Sequence, residues 1–70
     1  MATVKSEMVG NISQVVVSVG DSVSAGDPLL FVESMKMEIP VEADGAGTVA
    51  KIHVEAGASV QTGDALVDLS

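Results

Sequence analysis

Displacing the chain by 37 positions lays Gly10–Glu33 on Gly47–Ser70 without a gap. Eight positions are then identical: Gly10/Gly47, Val17/Val54, Gly20/Gly57, Ser22/Ser59, Val23/Val60, Gly26/Gly63, Asp27/Asp64 and Leu29/Leu66. Apolar meets apolar at Ile12/Val49, Val15/Ile52, Leu30/Val67 and Val32/Leu69. The chain is two copies of one supersecondary unit. With 70 residues it is read as a single domain, residues 1–70, whose size limits burial to roughly 60% of the surface its unfolded form exposes.

Each copy reads as strand, Gly-centred turn, short strand, Gly-Asp turn, strand. The first runs NISQVVV, VGD, SVS, AGD, PLLFVE, and the second TVAKIHV, AGA, SVQ, TGD, ALVDL. Gly20, Gly26, Gly57 and Gly63 supply backbone angles that Val or Leu would resist, and Asp27 and Asp64 can hydrogen-bond the neighbouring backbone. No helix is predicted. Phe31 is the one aromatic residue, so small β-branched side chains must fill the interior, and stacked sheets suit them. The class is all-β with an internal pseudo-twofold repeat.

Between the copies lies LLFVESMKMEIPVEA, Leu29 to Ala43, which alternates well enough to pass for one strand. Its fifteen residues at about 3.3 Å each would span about 50 Å, against a diameter of about 30 Å for a compact chain of this size. It has to fold back. A pseudo-twofold axis between the copies places the reversal near Met35 and Lys36, and puts Met1 near Ser70 at the other end. Tight hairpins favour Asn-Gly or Asp-Gly, so Met-Lys sets local sequence against global fold, as happens at functional sites. Met35 and Met37 are large apolar side chains that a solvated tip should avoid unless a partner grips them.

Other classes are disfavoured. The net charge of −7, from ten acids against three lysines, repels nucleic acid and anionic lipid alike. The acids stand singly and read as solvated turns and strand faces. There is no cysteine, so a reducing compartment leaves the fold untroubled. MATVKSEM lacks a long apolar stretch behind a basic region and no apolar run approaches the length that spans a bilayer, so neither export nor membrane spanning is expected. The expected location is cytoplasmic. One histidine, His53, makes neither a catalytic triad nor a metal site with scattered acids; it is expected on a strand face.

Glu33-Ser34-Met35-Lys36-Met37-Glu38, centred between matching halves, resembles the Ala-Met-Lys-Met attachment motif of the biotinyl/lipoyl domains. It is most similar to the small free-standing biotin/lipoyl attachment proteins, with Ser34 in place of the usual alanine. Glu7-Met8-Val9-Gly10 stands where large biotin carboxylases have Pro-Met-Pro-Gly, and the equal spacing of the copies leaves no room for the protruding insertion of the bacterial acetyl-CoA carboxylase carrier.

The resemblance implies a flattened antiparallel β-barrel of two sheets, the barrel-sandwich hybrid, expected to be monomeric. It implies covalent biotin on Lys36, attached by a biotin protein ligase that recognises Met35 and Met37, with Glu33, Ser34 and Glu38 flanking the hairpin. It further implies a carrier without catalysis of its own, passing carboxyl from a biotin carboxylase to a carboxyltransferase. Lipoyl domains share the fold but usually read Asp-Lys-Ala at the tip. Lipoate carriage and an unmodified β-module for assembly are the competing expectations.

Overall fold

Small β-branched residues alternating with polar ones become strands throughout the computed structural model, which describes residues 2–70. Eight strands follow in order: β1 Ala2–Lys5, β2 Gly10–Val15, β3 Ser22–Val23, β4 Pro28–Ser34, β5 Met37–Glu42, β6 Gly47–Ile52, β7 Ser59–Val60 and β8 Ala65–Leu69. They form two four-stranded antiparallel sheets, ordered β1-β8-β6-β3 and β5-β4-β2-β7. The sheets stack rather than close into a continuous ring. The body measures 30 × 17 × 17 Å, so the Leu29–Ala43 segment could not have run straight.

The two sheet orders map onto each other when β2, β3, β4 and β5 are matched to β6, β7, β8 and β1. Backbone hydrogen bonds repeat with the 37-residue offset. Gly20 N–H donates to Val49 O and Gly57 N–H to Ile12 O; Ala43 N–H donates to Asp27 O and Ser6 N–H to Asp64 O. The dyad therefore includes Ala2–Lys5, matched to 39–42, where Val4/Val41 is the one identity. That strand was not foreseen because too little sequence likeness remains in it.

β2 and β6 end at Val15 and Ile52, two residues short of the predicted strands. Val16 and His53 each donate one further N–H, to Leu29 O and Leu66 O, before the chain departs into its turn. The short strands are likewise trimmed, to 22–23 and 59–60. The turns themselves are as expected: Gly20, Gly26, Gly57 and Gly63 have φ near +90°, while the Asp27 and Asp64 carboxylates accept the N–H groups of Ser24 and Gln61 at 2.8 Å.

A pair of bulges explains the thin core. Leu29 has no partner between Pro28 and Leu30 of the β4–β5 ladder, and its dyad mate Leu66 has none in β1–β8. A bulge turns two successive residues to the same face. Leu29 with Leu30, and Leu66 with Val67, are accordingly all 0% exposed, each leucine worth about 2 kcal/mol of apolar burial. Ile12, Val32, Val49 and Val60 complete the centre. The expectation for Met1 lies outside the described residues; its neighbour Ala2 pairs with Leu69.

Candidate functional site

β4 and β5 form a hairpin whose last paired residues are Ser34 and Met37, leaving Met35 and Lys36 as a two-residue loop. Their φ angles are 53° and 64°. Positive φ at both central residues defines the mirror-image type I′ turn, whose twist matches that of the strands and which ordinarily recruits Asn and Gly. In a residue bearing Cβ this conformation costs roughly 1–2 kcal/mol. Elsewhere among the described residues positive φ falls on glycine alone. The hairpin is held by the long β4–β5 ladder, which overrides the local preference.

The hairpin brings every expected site residue together. Met35 is 91% and Met37 63% exposed, and Lys36 is exposed beside them, with no carboxylate within ion-pair distance among the described residues. Ser34 is half-buried at the base. Glu33 and Glu38 stand directly opposite each other across the two strands, both exposed. Like charges in that register repel, so the pair adds nothing to the fold and leaves two carboxylates uncompensated below the amine.

Two features of this end had no signal in the motif. Gly10 lies against the root of the hairpin: a Cβ there would stand 2.6 Å from Glu33 O and 2.7 Å from Val32 Cγ1, so the close approach of β2 to β4 requires glycine. Val9, just before it, is 65% exposed. The repeat marked Gly10 as a matched glycine without indicating what it touches.

His53, expected on a strand face, lies one residue past the end of β6, and Asp68, read as one of the singly placed acids, has its partner there. His53 Nε2 sits 3.0 Å from Asp68 Oδ2 on the other sheet, far in topology from the hairpin.

Fold and site thus define a small two-fold β-sandwich that presents one lysine, between two exposed methionines, on a strained hairpin. The chain belongs to the biotin/lipoyl family, described as biotin-requiring enzyme, whose family model matches residues 2–69. It is 54% identical over 44 residues to a biotinylated protein TB7.3 homolog of Mycobacterium leprae, covering 63% of this chain and 62% of the relative. To the biotin/lipoyl attachment protein of Bacillus subtilis it is 47% identical over 45 residues, covering 64% and 62%. The matched part is thus a little under two thirds of these relatives' length. Among solved structures it resembles the urea carboxylase of Kluyveromyces lactis, with a TM-score of 0.93 and 36% identity over 99% of this chain and 6% of that one. The likeness to that structure agrees with the expected barrel-sandwich fold.

Proposed function

We propose that this chain is a biotin carboxyl carrier domain and that Lys36 is the attachment residue. The observation that carries the reading is the exposed Lys36 held between Met35 and Met37 on a strained turn, in a chain of a biotin-requiring family. Biotin bound there would supply a ureido nitrogen that takes up and releases a carboxyl group. The chain's own residues do the rest.

A lysine side chain is an ammonium near neutrality, and a ligase must supply surroundings that favour the free amine. The Lys36 nitrogen would then attack the acyl carbon of biotinyl-adenylate. A C–N bond forms, the acyl–oxygen bond to phosphate breaks, AMP leaves and the amine proton passes to solvent. Exposure suits this reaction because the amine must enter another protein's active site. The rigid ladder keeps the lysine at a fixed place, and Met35 and Met37 offer that protein apolar contacts that adapt to its pocket.

Once loaded, such a domain delivers its group to a biotin carboxylase and a carboxyltransferase, gaining effective concentration from tethering rather than from catalytic residues. Lipoate is the second reading, favoured by one observation: the Bacillus subtilis relative is named for both cofactors. Intact mass after expression with a biotin ligase and both free cofactors, followed by peptide mapping, tests the proposal. One biotinyl addition on Lys36 is expected; a lipoyl addition selects the second reading, and no addition beside a modified control domain refutes both.

A further inference from the structure

The dyad gives each outward position on one sheet a mate on the other, and at one row the two mates have opposite chemistry. On the sheet β1-β8-β6-β3 the row is Thr3, Asp68 and Lys51, paired across three strands, with His53 reaching Asp68 from just beyond β6. On the sheet β5-β4-β2-β7 the matching row is Pro40, Phe31 and Gln14, paired in the same way, and the mate of His53 is Val16. A hydrogen-bonded polar row is replaced by one in which Pro40, Phe31 and Val16 are apolar and only Gln14 is polar, and which holds the sole aromatic of the chain. Val16 is 45% exposed, Pro40 is exposed and Phe31 is half-buried.

The basic residues divide unevenly as well. Lys5, Lys51 and His53 belong to the first sheet or its margin, which also holds the acid Asp68, while the second sheet has Lys36 on its hairpin and no basic residue within its strands. They carry Glu33, Glu38 and Glu42 instead, all exposed. Two of these flank the apolar row on the hairpin side and the third lies beyond it on β5. Symmetry of fold has been kept while symmetry of surface has been lost, and the changed surface is continuous with the Lys36 hairpin.

We propose that the outer face of β5-β4-β2, centred on Phe31, Pro40 and Val16, is a second docking surface for the biotin protein ligase. This rests on the carrier reading above. The occupant is fixed by two arguments. The row is continuous with the hairpin that a ligase must grip: Phe31 is three residues, about 10 Å, from the last paired residue of the turn. A standard interface of about 800 Å² per partner spans both. The partner must also present an apolar strip rimmed by lysine or arginine, complementary to Glu33, Glu38 and Glu42. Such a face lets the ligase distinguish Lys36 from Lys5 and Lys51 before anything is attached.

The test is steady-state biotinylation by a purified biotin ligase, with the concentration of this chain varied. Val16→Lys places a cation on an exposed position of the face and spares the core; His53→Lys places the same cation at the dyad-related position. Val16→Lys is expected to raise KM roughly tenfold with kcat within about twofold, and His53→Lys to alter neither. Phe31→Ala should follow Val16→Lys, its thermal unfolding being measured alongside. An unchanged KM in folded Val16→Lys overturns the proposal, as does a wild-type chain that sediments as a dimer and becomes a monomer in that variant. If the wild-type chain accepts no biotin, the carrier reading falls first, a distinct result.

Discussion

The Asp68 carboxylate of β8 is bonded to β1 and to the residue just past β6, with His53 Nε2 at 3.0 Å on one oxygen and the Thr3 hydroxyl donating to the other at 2.9 Å. Hydrogen bonding from His53, then from Thr3, holds its pKa below the ordinary 3.8. A carboxylate with a lowered folded-state pKa binds its proton more readily in the unfolded chain, so the linkage stabilises the fold above the ordinary value and is lost as pH falls through the lowered one. Asp68→Asn should therefore melt below wild type at neutral pH. The gap should close as pH falls through that lowered value. Thermal unfolding across a pH series checks this, and a gap independent of pH would rule it out.

The hairpin should be more stable without its lysine. Lys36→Gly removes the strain of a side chain at φ 64°, and after allowance for the freer unfolded chain should add about 1 kcal/mol, or roughly 5 °C in Tm. Lys36→Arg should leave Tm unchanged, since the site buries nothing. Both variants should lose the mass addition. Calorimetry that places Lys36→Gly below wild type would show that the turn carries no strain.

Gly10 and Gly47 are dyad mates with unequal tolerance. A methyl at Gly10 meets backbone oxygen at 2.6 Å and a Val32 methyl at 2.7 Å, whereas at Gly47 the nearest atom is Ser70 O at 3.0 Å, a contact that a shift of a few tenths of an ångström relieves. Gly10→Ala should cost about 2 kcal/mol and Gly47→Ala distinctly less. Urea midpoints for the pair decide the matter; equal losses would mean that both contacts relax alike.

Met35→Leu and Met37→Leu should slow modification several-fold while leaving unfolding alone, because both side chains stand in solvent and act through a partner. Wild-type rates in both variants would leave the methionines without a role in recognition.

Much of this architecture could be read from residues alone. The repeat between Gly10 and Glu33 located the hairpin by symmetry, and the Gly-Asp pairs announced their turns, because both signals are local and backbone-driven. β1 escaped because a strand is stabilised by the ladder it joins, and Ala2–Lys5 keeps one identity with its mate. The I′ turn at Met35 and Lys36 could be located but not typed, since the sequence preference points elsewhere and the β4–β5 pairing prevails. Asp68 stands on a strand face as its class of acid was read, but its partner gave no signal: the histidine lies fifteen residues away in sequence and adjacent only through the sheet.

The dyad relates strand to strand, and the only segment that passes directly from one repeat to the other is the β4–β5 hairpin, closed by Ser34 and Met37 over Met35 and Lys36. Two identical half-domains would have no reason to single out either seam between them. Here the stitch across one seam is the segment that bears Lys36, so covalent continuity, rather than any side chain, decides where the amine stands: a position written into connectivity.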